Sequence, residues 1–265
     1  VSSEGDVALR RVRSHTSFMD WSTDTAETVA LLSRPSVHLV TITVTESGYY
    51  TDPDGNLNPA DPLIAAEIAG TDSQSVYAYL RAALQARQAS AVAPPTIACC
   101  DNIRQNGKML HKNLLAYLNA LGDVELADWV AQNVAFPCSM VDRITPRSAP
   151  ELNAELTTIV GKHVGSPIMA EDFIQWVLQD SAAGPMPALE KAGVTVTSDV
   201  DPFEETKIRV LNGGHTCLTY LAALEGIETF DAAMRVPHLL EHFIRTEEDE
   251  VLPAITIDLP FSKAD

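Results

Sequence analysis

Residues 37–44 read VHLVTITV, and the fold class turns on whether that run is a strand. Its β-branched content and the alternation of polar and apolar residues at its end predict one, leading into a loop at Glu46-Ser47-Gly48-Tyr49. A second apolar run, TIACC at 96–100, predicts a short buried strand. AFPCSMV at 135–141 predicts a third, pushed toward an edge or a strand start by Pro137, because proline cannot donate to a sheet ladder. Between them apolar residues recur at helical spacing. Val76, Tyr79, Leu80, Ala83 and Leu84 mark one helix, Leu110, Leu114, Leu115, Leu118 and Leu121 a second, and Leu126 to Val130 a shorter third. Strand, helix, strand, helix is the α/β pattern. DPDGNLNPADP at 52–62 and the stretch from Pro146 to Pro150 read as turns and breaks, and VTVT at 194–197 as a last strand.

Beyond Asp199 the pattern is helical only, so a domain boundary is expected near residue 200, dividing 1–199 from 200–265. Asp201 as N-cap, Pro202 at the first helical position and Glu204 at the third predict a capping box. The helix is expected to run to Glu225 with Gly226 as its stop, burying Ile208, Leu211, Leu218 and Leu221 as a stripe. Its middle, ETKIRVLNGGHTCL at 205–218, carries more polarity than packing requires. At about 100° per residue, Asn212 lies about 140° and His215 about 80° from Lys207, so all three can face one cleft. Two adjacent glycines each cost about 1 kcal/mol inside a helix. Gly213-Gly214 therefore predicts that something approaches that backbone closely.

A lysine taken out of water loses solvation of its ammonium, and its pKa moves toward the range useful to a general base. Asparagine amides donate to a developing oxyanion, and histidine can hold a hydroxyl. The same residues also read as an exposed lysine, an asparagine bonded to its own helix and a histidine satisfied by packing.

Composition excludes some partners. The 36 acidic residues outweigh 18 basic ones for a net charge of -18, which repels nucleic acid and anionic membrane alike and serves solubility. No run of 18 apolar residues and no secretory leader pattern occurs, so a cytoplasmic protein is expected. Cys99, Cys100, Cys138 and Cys217 are too few and too irregular for a disulfide framework, and reduced thiols are expected. A start at Val1 and an end at Lys263-Ala264-Asp265 suggest a chain cut from something longer.

Two familiar routes to alcohol oxidation fail on sequence. No tyrosine has lysine four residues on, and no convincing Cys/His/Glu ligand set for zinc stands out. HLLEH at 238–242 matches an inverted zincin motif but needs a third ligand. Leu239, Leu240, Phe243 and Val251 also read there as the core face of a helix, with Glu247 to Glu250 outside.

KIRVLNGGH at 207–215, with YLAALEG at 220–226, resembles the signature of the polyol-specific long-chain dehydrogenase/reductase, or mannitol dehydrogenase, family. TVTESGY at 43–49, CDNIRQNG at 100–107 and FPCSMVDRITP at 136–146 agree with it in order and spacing. HTCLTYLAALEG is closer to mannitol and D-arabinitol oxidisers than to hexuronate reductases.

The resemblance implies a Rossmann-like NAD-binding domain lacking its N-terminal part, followed by an incomplete, mostly α-helical substrate domain, with the active site in the cleft between them. It implies metal-independent, NAD-dependent oxidation of a secondary hydroxyl of a sugar alcohol to the ketose. Lys207 would be the general base, and Asn102 and Asn212 the oxyanion donors, with Asn102 also beside the cofactor. His215 and Asp142 would hold substrate hydroxyls, and Glu46 and Glu204 would line the proton and access route. Gly213-Gly214 would admit substrate or the nicotinamide ring. Read without the family, Asp101-Asn102 is a helix N-cap and Asp142-Arg143 an ion pair. Cys138 stands where many members have asparagine, no G-x-G-x-x-G occurs, and the arginine expected further toward the C-terminus of family members is missing. Hexuronate reduction, or a non-catalytic piece of such an enzyme, is the alternative.

Overall fold

The computed structural model describes residues 8–146, 150–162 and 167–259. By contact density the chain divides into two compact units, Val1–Val196 and Thr197–Asp265.

In the first unit, helix α1 (Thr25–Leu32) leads to strand β1 (Leu39–Ile42), a 3-10 turn (Glu46–Tyr49), α2 (Pro62–Ile68) and α3 (Val76–Ala89). Strand β2 (Thr96–Cys99), α4 (Asn106–Ala120), α5 (Val124–Asn133) and β3 (Ser139–Asp142) follow. Then come α6 (Pro150–Val160), β4 (Gln175–Gln179) and β5 (Thr195–Thr197). Strands β1 and β2 pair in parallel, Leu39 opposite Thr96 and Ile42 opposite Cys99. Parallel neighbours need a crossover, and α2 with α3 supplies it. All four residues of β2 are buried, as a strand covered on both faces requires. Leu80 and Leu84 of α3 and Leu110, Leu114 and Leu118 of α4 share one core with Ile97 and Cys99.

Pro137 decides where the third strand goes. Ala135 still bridges Thr96 in parallel, accepting from the Ile97 N–H at 2.9 Å. The chain then leaves β2 and pairs again as β3, antiparallel to β4, with Asp142 opposite Gln175. The single strand expected over 135–141 is therefore two pieces in different ladders, split at the residue that cannot donate. Strands β3, β4 and β5 lie side by side in that order. The periodicity reading contained neither β4 nor α1, α2 and α6. Helix α2 begins where a loop was expected to end, because the Asp61 carboxylate accepts from the Leu63 and Ile64 N–H groups and Pro62 fits the first turn. The break expected from Pro146 to Pro150 falls partly on 147–149, outside the described residues.

In the second unit a continuous helix is built of α7 (Asp201–Thr206), a wide π segment (Lys207–Asn212) and α8 (Gly213–Leu224). It is followed by α9 (Phe230–Ala233), α10 (Pro237–Arg245), a second π segment (Thr246–Val251) and α11 (Leu252–Ala254). Leu218 and Ala222 of α8 meet Ala233 and Leu239 in a small core. The helix stops at Glu225, with Gly226 at a φ of 74° that a side chain would resist.

Three expectations for this unit are corrected. The capping box does not form: Val200 occupies the cap, no side chain caps the start, and the Asp199 carboxylate instead accepts from the Asp201 N–H at 3.0 Å. The buried stripe is broken, with Leu211 48% exposed, while Pro202, Glu204, Lys207, Gly214, Leu218 and Ala222 face inward. Glu247 is not on the outer face but buried, although Glu248, Asp249 and Glu250 are exposed. An i→i+5 segment turns less per residue than an α-helix, so positions in and after the first π segment, Leu211 among them, fall out of phase with a 3.6-residue count, and the angles drawn from Lys207 to Asn212 and His215 lose their basis. Glu247 stands four residues after Phe243, on the same helix face, and only its charge placed it outside. No helix among the described residues is long and apolar enough to cross a membrane.

Candidate active-site residues in the two units

The carboxyl ends of β1 and β2 are tied together by one buried carboxylate. Asp101, just past β2, accepts from the N–H groups of Val44 and Thr45 just past β1, each at 3.0 Å, and from the Tyr49 hydroxyl at 2.5 Å. Burial, followed by the neighbouring Cys99 and Asp101, pushes the Tyr49 phenol far above its ordinary range, so Tyr49 is a fixed donor. Burial likewise pushes the Cys99 and Cys100 thiols up to about 11, which keeps both inert. Asn102 and Glu46 each stand one residue beyond this clamp and are exposed. Asp101 is thus no N-cap of α4; Gln105 holds that position, at a φ of 49°.

A second set of bonds locks β3 to β2. The Asn106 amide donates to the carbonyls of Asp101 at 3.0 Å and Ser139 at 2.8 Å, and accepts from the Ser139 N–H at 2.9 Å. The Ser139 hydroxyl donates to the Cys99 carbonyl at 2.5 Å. Asp142 lies three residues along the strand that Ser139 starts, and is half-buried. Arg143 donates to the Glu171 carbonyl, at 3.0 Å from one of its terminal nitrogens. Gly107 permits this closeness: a Cβ there would lie 2.4 Å from the Phe136 carbonyl oxygen and 2.5 Å from that of Pro137. Asp101, Asn106 and Gly107 were missed as working residues, although CDNIRQNG contains all three. Their signal was the motif and not their chemistry, because a buried clamp cannot be told from a cap by spacing.

In the helical unit Lys207 opens the first π segment and is 7% exposed, which removes the exposed-lysine reading. Glu204, one turn earlier, is 5% exposed. Asn212 closes the segment, and its carbonyl accepts from the Thr216 hydroxyl at 2.9 Å. His215 is exposed and lies flat against Phe230, ring centroids 3.9 Å apart and planes 10° apart.

Gly214 has a different purpose from the one expected of the glycine pair. A Cβ at Gly214 would lie 2.6 Å from Glu247 Oε1 and 2.7 Å from Phe243 Cε2, so that space belongs to the chain's own side chains and not to substrate or a nicotinamide ring. At Gly213 the nearest atom is the Ile208 carbonyl oxygen at 3.5 Å, ordinary contact. Of the HLLEH residues, His238 faces Glu225 at 2.7 Å while His242 faces Cys217 at 3.4 Å, so the two imidazoles have different partners. Among the described residues no group of three or more His, Cys, Asp or Glu is arranged to hold a metal ion.

Comparison with known proteins bears on both units. A family profile described as the mannitol dehydrogenase Rossmann domain matches residues 2–191, and one described as the mannitol dehydrogenase C-terminal domain matches 199–264. A D-arabinitol 4-dehydrogenase of Ralstonia nicotianae is 35% identical over 97% of this chain and 55% of its own length. A mannitol 2-dehydrogenase of Cereibacter sphaeroides is 39% identical over 93% of this chain and 51% of its own. The solved structure of Pseudomonas fluorescens mannitol 2-dehydrogenase in a ternary complex with NAD and D-mannitol superposes with a TM-score of 0.78 at 34% identity. That match covers 90% of this chain and 49% of the other. The chain thus spans about half the length of the curated relatives it matches.

Proposed function

The chain belongs to the mannitol dehydrogenase family, and from that premise we propose that it is the core of a cytoplasmic, NAD-dependent and metal-independent polyol dehydrogenase. Its reaction is oxidation of a secondary hydroxyl of a mannitol- or D-arabinitol-type sugar alcohol to the ketose. The observation that carries this reading is Lys207, 7% exposed inside a helix that bears Glu204, Asn212 and His215. Lysine is seldom buried this far unless it is paired or put to use.

The Lys207 amine takes the hydroxyl proton while hydride leaves the same carbon. Asn102 and Asn212 donate to the oxygen as negative charge grows on it. Asp142 and His215 hold neighbouring hydroxyls of the polyol, and Glu46 and Glu204 carry the proton from the lysine toward solvent. NAD, when bound, supplies the hydride acceptor. The loops tied together beyond β1 and β2 suit such a cofactor, because open α/β sheets bind ligands beyond the carboxyl ends of their strands and Asn102 is exposed there. In this division of labour residues 1–199 serve the cofactor and 200–265 begin the substrate unit.

The test is NADH absorbance when the full-length protein meets NAD and mannitol, D-arabinitol or sorbitol in EDTA, beside Lys207→Ala. Turnover that survives EDTA and falls about 10²- to 10⁴-fold in the variant is expected. A variant that keeps its rate would overturn the role of Lys207. Reduction of a hexuronate with no polyol oxidised would replace the substrate class.

A further inference from the structure

His215 owes its orientation to an aromatic ladder. Its ring lies on Phe230, with centroids 3.9 Å and planes 10° apart. Phe230 meets the ring of Phe243 edge-on, at 6.2 Å and 83°. Phe243 in turn lies against Gly214, where a Cβ would stand 2.7 Å from its Cε2. The ladder therefore returns to α8 one residue before it began. Phe230 is itself fixed at the start of α9, where the Thr229 hydroxyl accepts from the Ala232 N–H at 3.2 Å. Among the described residues no hydrogen bond holds the His215 ring, so the stack is what sets its plane.

From this geometry we propose that Phe230 is the positioning residue for His215, fixing the plane in which the imidazole meets a substrate hydroxyl. The role at the substrate rests on the polyol reading above; the ring plane does not. Both imidazole nitrogens bond in the plane of the ring, one as donor and one as acceptor when neutral. A face covered by Phe230 leaves both ring-edge nitrogens free, and a ring that turns out of plane points them elsewhere. Productive geometry tolerates only about 10–20° of such error. Phe230 contacts His215 and is given no contact with the reacting atoms.

The experiment uses the full-length protein, with Phe230→Leu to remove the flat face and Phe230→Tyr to keep it. The His215 ring protons are assigned by their loss in His215→Gln and read by proton NMR. They should lie upfield of exposed histidines in the wild type and in Phe230→Tyr, and return downfield in Phe230→Leu. With a polyol substrate, Phe230→Leu should raise KM about tenfold with kcat nearly kept, and Phe230→Tyr should restore KM. Ring protons at ordinary positions in the wild type would overturn the proposal without recourse to any variant. A Phe230→Leu protein with its KM unchanged would overturn the role at the substrate. Upfield protons that move in Phe230→Leu, with no polyol turned over, would sink the polyol reading and still support the ring-plane assignment.

Discussion

Asp101 in the α/β unit and Glu247 in the helical unit are both buried carboxyls, 6% and 8% exposed, and they are treated in opposite ways. Asp101 accepts from two backbone N–H groups and a phenol. Among the described residues neither oxygen of Glu247 has a hydrogen-bond partner, and burial pushes its carboxyl above the ordinary range. The two glycines nearby differ in the same sense. Gly107 faces immovable backbone carbonyls, Gly214 the ends of two side chains. Around Asp101 and Gly107 the first unit holds its residues with hydrogen bonds on rigid backbone, and around Gly214 the second uses side-chain packing beside a helix widened at Lys207. The first region is expected to be brittle toward added volume and the second tolerant.

The same substitution made in both units is the sharpest way to break that contrast. Gly107→Ala should cost more than about 3 kcal/mol in urea unfolding, or prevent folding, because backbone held in two ladders cannot retreat from a Cβ. If it unfolds like the wild type, the close approach of α4 to residues 136–137 is wrong.

Glu247→Met carries the next largest effect and has the opposite sign. A carboxyl whose folded pKa is raised binds its proton more tightly when folded; the stability this adds is present below the ordinary carboxylate range and lost as pH rises through the raised value. Near neutral pH the ionised group is then a penalty that methionine removes, a gain of about 1–3 kcal/mol. Thermal unfolding from pH 4 to pH 8 should show that gain shrinking toward the acid end. A loss of stability at neutral pH would mean that Glu247 has a partner.

Gly214→Ala should have the smallest effect. Overpacking costs about 1–3 kcal/mol, but the Glu247 and Phe243 side chains can shift, and alanine returns about 1 kcal/mol of helix propensity. A net loss of about 1 kcal/mol in urea unfolding is expected. A collapse as large as that of Gly107→Ala would show the two units to be equally rigid.

How much of this was legible follows from what each signal measures. Apolar spacing located α3, α4 and β2 well, because each buries a continuous face. It did not yield β4, a five-residue strand beginning at Gln175 just beyond the exposed Phe173 and Ile174, where apolar character and burial do not coincide. The π segments were invisible because their residues, KIRVLN and TEEDEV, carry no composition that separates them from α-helix. The first of them caused an error of phase, with Leu211 placed inside, whereas Glu247 was placed outside on its charge alone.

The candidate site divides similarly. Its residues were named from KIRVLNGGH, CDNIRQNG and FPCSMVDRITP without any coordinates, since a motif preserves which chemistry sits at which position. What holds them was not in reach. Asp101 and Asn106 draw most of their bonds from residues 33 to 57 positions away, and Phe230 reaches His215 only because the chain turns back after Gly226. The sequence by itself determined the alternation of elements, the helical change near residue 200, the family and the residue types of the site. Only the tertiary structure decided that Gly214 serves packing, that Asp101 is a clamp and that Glu247 is buried. The physical reason is that propensity and periodicity are local, whereas satisfying a buried polar group or filling the space above a glycine depends on partners that the chain brings in from elsewhere.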